Sequence, residues 1–174
     1  MEKLKQVISY ILKKSPSGRT RLDLSKLVYY CDGVFFQHYG TTITKERYIH
    51  LEDCPMAFNF YIAILELIQE EVLEVKLNVE NGKIGNFTLH IKTEKPIELK
   101  KEEKRIINVV LTAFGETVSE ENRHYPNLYE SYVITSVFSE IPIKPETINT
   151  KIHFHKKKSL LSISGKIFRV LYEE

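Results

Sequence analysis

Residues 22–61 read LDLSKLVYYCDGVFFQHYGTTITKERYIHLEDCPMAFNFY, and the predicted fold is organised around them. Apolar residues recur three and four places apart in its first half, which predicts one broad helix face: Leu24, Leu27, Val28, Cys31, Val34 and Phe35. Thr20 and Asp23 have the spacing of a capping box, and Gly40 suits the left-handed position after a helix. The sequence therefore predicts a central helix over residues 21–39.

A long polar loop is predicted after this helix, over residues 40–54. Pro55 follows. Proline is favoured at the first position of a helix, because a backbone N–H at that position has no partner within the helix and its absence costs nothing. We therefore predict a second helix over residues 55–71. Its core face is predicted from Phe60, Ile64, Leu67 and Ile68, widened by Phe58, Ile62 and Leu65.

An alternating pattern then replaces the helical one. Apolar residues occupy every second position in two runs, at Leu73, Val75, Leu77 and Val79 and at Phe87, Leu89 and Ile91. The Asn81-Gly82 pair between the runs is a strong signal for a hairpin turn. Residues 72–93 are therefore predicted to form a β-hairpin with one buried face.

Two more helices are predicted from apolar residues at helical spacing, over residues 2–13 and 100–115. Residues 128–139 fit either a helix or a strand. The predicted fold class is α+β, with a mainly helical core, a packed β-hairpin and a small β-rich C-terminal extension. We predict that residues 1–145 form the α+β domain and that residues 146–174 form a basic extension, a small hairpin packed on it.

The composition is that of an ordinary folded domain. Hydrophobic residues make up 43% of the 174 residues and charged residues 28%, which is enough to build a core. The net charge of +2 predicts no strong attraction to nucleic acid. No apolar run is long enough for a membrane helix, and the charged start MEKLKQ is not followed by a signal-peptide core. We therefore expect a cytoplasmic protein in which Cys31 and Cys54 are reduced.

Catalytic motifs are absent from the sequence. It contains no phosphate-binding glycine loop, no G-x-S-x-G elbow and no H-E-x-x-H motif. His153 and His155 would share one face of a strand, but no third metal ligand is near, which favours a basic strand. Cys31 and His38 lie about two helical turns apart, too far for a nucleophile and its base. We therefore expect no enzyme activity, no catalytic or metal-binding residue and no cofactor.

Aromatic residues in the central stretch exceed what one core face needs. Such a surplus is typical of protein-binding surfaces. The candidate partner-binding residues are Tyr29, Tyr30, Phe36, Arg47 and Tyr48. The alternative is that one or two of the aromatic rings pack beneath the loop and the hairpin. Two interpretations of Asp32 stay open: an ion pair with Arg47 that holds the loop, or a solvated residue on the helix surface.

Helices followed by a hairpin also suggest a winged-helix DNA-binding regulator. In this alternative Lys76, Lys83 and Lys92 would contact DNA phosphates from the wing. The recognition helix would lie within residues 55–71, which contain several acidic residues and no arginine. Such a helix is poorly suited to reading bases in the major groove, so nucleic acid is the less favoured partner.

Short motifs within residues 20–62 are similar to those of one known family. These motifs are Lys26-Leu27-Val28-Tyr29-Tyr30, Asp32, Tyr39-Gly40, Ile43-Thr44, Arg47-Tyr48 and Pro55. The chain resembles the Panacea domain, the SocA-like antitoxin family of bacteria and their phages, with weaker similarity to about residue 145. It departs from the family pattern at Cys54, where glycine is usual. It also lacks the later Thr-His and tryptophan signature, and His124 lies near that region without the flanking residues.

The resemblance implies a function that the composition does not. Members of this family neutralise toxin proteins by direct contact, and one branch delivers its toxin to a protease. The resemblance therefore implies a toxin as the partner and, if this chain belongs to that branch, a protease as a further partner. From the sequence itself we expect neither a membrane partner nor a cofactor.

Overall fold

The computed structural model describes residues 1–80, 83–114 and 130–143. These residues form five helices and two antiparallel sheets of three strands each, which confirms the predicted α+β class. The predicted domain boundary and the extension over residues 146–174 lie outside the described residues.

The predicted central helix is present with both of its predicted ends. The first three elements of the chain are α1 (Glu2–Lys13), β1 (Arg19–Thr20) and α2 (Arg21–Tyr39). The Thr20 hydroxyl accepts a hydrogen bond from the backbone N–H of Asp23 at 3.1 Å. Gly40 has a φ of 68° and donates its N–H to the carbonyl of Phe36 at 2.8 Å. Local sequence therefore fixes where α2 begins and ends.

The predicted second helix over residues 55–71 is wrong in its first part. The chain forms β2 (Tyr48–His50), β3 (Pro55–Ala57) and α3 (Phe60–Gln69). Leu51 and Cys54 exchange backbone hydrogen bonds of 3.1 and 3.3 Å, which turns β2 back into β3. Pro55 therefore begins a strand, and its carbonyl accepts a hydrogen bond from the Ser25 hydroxyl at 2.7 Å.

The predicted hairpin is present, but its apolar face is buried only near its base. The strands are β4 (Leu73–Glu80) and β5 (Lys83–Ile91). Leu73 and Leu89 are buried, whereas Leu77 and Phe87 are 42% and 60% exposed. The prediction of one buried face is therefore wrong for the outer half of the hairpin and for Val75 on β4, which is 48% exposed although it pairs with the buried Leu89.

The remaining described elements are α4 (Lys101–Phe114), α5 (Glu130–Ile134) and β6 (Glu140–Ile141). The predicted helices at residues 2–13 and 100–115 are confirmed, and the ambiguous segment 128–139 contributes the short helix α5. The two sheets have the strand orders β1-β5-β4 and β3-β2-β6.

The centre of the fold is α2, which packs against α1, α4 and β3. Every residue from Leu24 to Phe35 is buried, so the helix is enclosed on all sides and does not bury one face only. Its polar residues in this range, Ser25, Lys26 and Asp32, therefore lie within the core, where buried polar groups need hydrogen-bond partners.

Candidate partner-binding surface

Asp32 connects α2 to the loop that follows it. One carboxylate oxygen accepts hydrogen bonds from the backbone N–H groups of Ile43 at 2.8 Å and Thr44 at 3.0 Å. The other oxygen accepts from the Tyr48 hydroxyl at 2.7 Å and from the Thr44 hydroxyl. Four donors therefore meet one buried carboxylate and hold residues 41–47 against α2.

Burial controls the protonation of this cluster. It raises the pKa of Asp32 to about 6, although the hydrogen bonds from Thr44, Tyr48 and Ile43 act in the opposite direction. Burial, and then the charge of Asp32, raises the pKa of the Tyr48 hydroxyl and of the Cys31 thiol well above their usual values. Tyr48 therefore remains a hydrogen-bond donor, and Cys31 is not a thiolate nucleophile at neutral pH.

Arg47 lies on the surface, and the predicted ion pair with Asp32 is wrong. The Arg47 guanidinium stacks over Phe58, 4.7 Å from the ring centroid, and lies 3.3 Å from a carboxylate oxygen of Glu140. The side chains of Arg47 and Glu140 are 62% and 50% exposed, so this ion pair contributes little to stability. Asp32 does not need the guanidinium, because backbone and hydroxyl donors already satisfy its oxygens.

Three of the five predicted partner-binding residues belong to the core. Tyr29, Tyr30 and Tyr48 are 0%, 2% and 0% exposed. The rings of Tyr29 and Tyr48 meet edge to face with centroids 5.0 Å apart, and Tyr30 stacks on Phe114 at 4.5 Å. Their predicted surface position is therefore wrong, since these rings fill the space around α2.

The other two predicted residues, Phe36 and Arg47, line a groove of about 370 Å³. The groove lies between the loop over residues 41–47 and β6, with Ile141 and Ile143 also in its lining. Phe36 is half-buried and Arg47 is exposed, so both are accessible from this side. Their contact with a partner stays a prediction.

An exposed apolar surface that the sequence analysis missed begins beside Arg47. We call it the α3 stripe, and its members are Phe58, Tyr61, Ile62 and Leu65, which are 57%, 44%, 49% and 58% exposed. Spacings of three and four residues place Tyr61, Ile62 and Leu65 on one side of α3, and Phe58 lies in the turn just before the helix. Arg21 stacks over the ring of Tyr61, 5.4 Å from its centroid, and also donates a hydrogen bond to its hydroxyl.

The α3 stripe corrects the prediction that Phe58, Ile62 and Leu65 widen a core face. The opposite side of α3 already supplies the core residues Phe60, Ala63, Ile64 and Leu67. A helix of ten residues that is apolar nearly all round has more apolar surface than this fold buries. This excess of apolar residues is the feature of the sequence that could have indicated an exposed apolar surface.

The lysines of the winged-helix alternative lie next to carboxylates where their side chains are described. Lys76 lies 2.9 Å from Glu74, and Lys92 lies 2.9 Å from Glu71. The side chain of Lys83 lies outside the described residues. Pairing with carboxylates reduces the positive charge available to DNA phosphates.

Within residues 1–80, 83–114 and 130–143, no three His, Cys, Asp or Glu side chains are grouped as metal ligands. The same residues contain no helix that is both long and apolar enough to cross a membrane. Cys31 and Cys54 are buried free thiols. His124, His153 and His155 lie outside the described part of the chain.

The family model described as Antitoxin SocA-like, Panacea domain, matches residues 24–123 of the 174-residue chain. The chain belongs to the SocA-like antitoxin family. The resemblance noted in the sequence is thereby confirmed for this antitoxin domain. No curated protein and no solved structure gives a significant match.

The region matched by the SocA-like family model distinguishes the groove from the α3 stripe. It contains Asp32, the loop over residues 41–47 and the whole α3 stripe, but it ends before β6. The groove therefore combines residues from inside and outside the matched region, whereas the α3 stripe belongs entirely to the antitoxin domain.

Proposed function

We propose that this SocA-like antitoxin neutralises a toxin protein by direct contact through the α3 stripe and Arg47. Family membership supports a toxin partner in general. The observation that carries the surface assignment is the exposure of the stripe, since Phe58, Tyr61, Ile62 and Leu65 are each 44% exposed or more. Covering them with a partner would remove apolar area from water, which is the main driving force of association.

The chemistry of the α3 stripe suits a protein partner. Arg47 on Phe58 and Arg21 on Tyr61 each combine an exposed ring with a guanidinium. Arginine and tyrosine are among the residues where binding energy is concentrated in protein interfaces. A partner face with apolar side chains at its centre and carboxylates at its rim would be complementary. We place Phe36, in the neighbouring groove, at the margin of this surface.

The loop next to the stripe is held in place before any partner arrives. The N–H of Phe58 donates to the carbonyl of Arg47 at 2.8 Å, and the Asn59 side chain donates to Glu46 at 2.9 Å. Asp32 holds the preceding residues of the same loop. A surface that is already ordered loses less conformational entropy on binding, which favours affinity.

The proposal has two further parts that rest on the family. Masking requires antitoxin and toxin to share a compartment, and we place both in the cytoplasm of a bacterium or of a cell carrying a prophage. We also propose that the masked toxin is delivered to a protease. The toxin's half-life in cells with and without the antitoxin tests this adaptor role.

The toxin proposal predicts a small toxic protein encoded beside this gene, and coexpression of the two proteins tests it. We expect the wild-type chain to restore growth and to copurify with that protein in stoichiometric amount. The double variant Ile62→Glu and Leu65→Glu should lose both properties, because carboxylates replace the apolar centre of the stripe. Val79→Glu is the matched control, since Val79 is 59% exposed but lies on the hairpin.

The outcomes of this experiment test the toxin-neutralising function and the choice of the α3 stripe as the binding surface separately. If the wild-type chain neither restores growth nor copurifies, the toxin proposal fails. If the double variant still does both, the antitoxin function stands and the α3 stripe is the wrong surface. Far-ultraviolet circular dichroism of both variants checks that they remain folded.

A further inference from the structure

The strand β4 lies at the edge of its sheet. The strand order is β1-β5-β4, and within the described residues no strand pairs with the outer side of β4. It is eight residues long and contains no proline. Natural proteins normally shorten, cover or interrupt such an edge, because its unpaired N–H and C=O groups can bind another strand. The β4 edge therefore offers a site for strand addition.

The apolar side of the sheet is also open at this edge. Leu89 on the inner strand β5 is 6% exposed, whereas its direct cross-strand neighbour Val75 on β4 is 48% exposed. Leu77, two residues further along β4, is 42% exposed. A strand added beside β4 would cover these side chains with its own residues on the same side.

We propose that β4 pairs with β4 of a second copy of this chain, antiparallel about a two-fold axis at Val75. In this register Glu74 of each copy lies opposite Lys76 of the other copy, so two such charge pairs form across the axis. Leu73 faces Leu77 of the other copy on the apolar side. The contact is therefore self-complementary in both charge and hydrophobicity, which is what a two-fold interface requires.

Neighbouring registers lack this complementarity. An axis at Glu74 or Lys76 would place two like charges directly opposite each other, which destabilises a sheet. An axis between two residues would place an apolar side chain opposite a polar one, because side chains alternate along a strand. Among registers centred within residues 73–77, only the one at Val75 gives opposite charges and matched apolar pairs.

The geometry of the hairpin limits the pairing to this part of β4. The register between β4 and β5 is regular from Leu73 to Leu77 and shifts between Leu77 and Val79. A Cβ at Gly85 would lie 3.0 Å from the carbonyl oxygen of Asn78, so the irregular region is closely packed. Such a bulge twists a strand and discourages pairing beyond it. The regular segment is centred on Val75, the same residue as the proposed axis.

Sedimentation velocity over a range of protein concentrations tests the dimer. Because the paired segment is short, we expect a weak dimer with a dissociation constant in the micromolar range. Either single variant, Glu74→Lys or Lys76→Glu, should weaken self-association about tenfold. A dimer of two copies of the same variant places like charges opposite each other at both contacts.

Mixing the two single variants gives the sharpest test. Their mixed dimer again places opposite charges at both contacts, so an equimolar mixture should recover wild-type association. Glu94→Lys and Lys13→Glu are matched controls, because they reverse the same charges in an exposed ion pair on other parts of the chain. These controls should associate like the wild type.

Three results would overturn the proposal. The first is a wild-type chain that stays monomeric through the micromolar range. The second is a dimer that responds no more to the β4 reversals than to the controls. The third is a mixture of the two single variants that associates no better than either alone.

Discussion

At the scale of single residues, Asp32 shows how one buried acid can order a loop. The N–H groups of Ile43 and Thr44 would be costly to bury without acceptors, and the carboxylate supplies them. The sequence marked Asp32 as a polar residue in an apolar helix but did not identify its donors. Arg47 was the expected partner because of its charge, yet the donors came from the backbone and from hydroxyl groups.

We predict that Asp32 makes the free energy of unfolding fall as pH rises between about 4 and about 6. Its pKa is raised from 3.8 to about 6 in the folded protein, so the folded state binds the proton more tightly. The stabilisation is fully present below the unfolded pKa and is lost as pH rises through the folded pKa. The expected slope approaches about 1.4 kcal/mol per pH unit for this one group.

Urea unfolding of the wild type and of Asp32→Asn across this pH range measures the effect. The amide does not ionise, so the stability of the wild type relative to the variant should decline with rising pH and then level off. Asp53→Asn, at an exposed carboxylate, is the control. A difference that is constant, or that grows with pH, would contradict the prediction.

At the scale of the elements, two glycines with similar positive φ angles should differ in their sensitivity to substitution. Gly40 has a φ of +68° with nothing within 4 Å of an added Cβ, so Gly40→Ala should cost only the left-handed strain, about 1 kcal/mol. Gly18 has a φ of +75°, and its Cβ would lie 2.5 Å from the His90 ring and 2.8 Å from the Leu89 carbonyl oxygen.

We therefore predict that Gly18→Ala costs at least about 2 kcal/mol more than Gly40→Ala, because β1 and β5 must separate. Denaturant unfolding of both variants at one pH gives the comparison directly. Equal losses would mean that β1 is not held closely against β5.

The same scale shows which parts of the fold were predictable. The ends of α2 and the pairing of β4 with β5 follow from cap and turn residues in the sequence, which act within a few positions of the chain. The strand at Pro55 and the exposed α3 stripe depend on packing between distant segments. The spacing of apolar residues alone therefore predicts a helix at Pro55 and a core face in place of the stripe. The sequence shows the surplus of tyrosines, but it does not show that a helix enclosed on all sides buries them in the core.

At the scale of the whole molecule, the charges are nearly balanced, and two lysines proposed for the DNA-binding alternative lie beside carboxylates. The net charge is +2, and Lys76 and Lys92 lie beside Glu74 and Glu71. We therefore predict no shift of duplex DNA in a gel assay at moderate ionic strength. A shift that weakens with salt, and weakens further in Lys76→Glu, would favour the winged-helix regulator instead.

The Asp32 cluster also has a consequence for the order in which the chain folds. Its donors come from residues only 11, 12 and 16 positions away, whereas the contact between Lys3 and Glu103 joins residues 100 positions apart. Closing a loop of about ten residues takes only about 10–100 ns. We therefore expect the contacts between α2 and its loop to form earlier in folding than long-range contacts such as the one between Lys3 and Glu103.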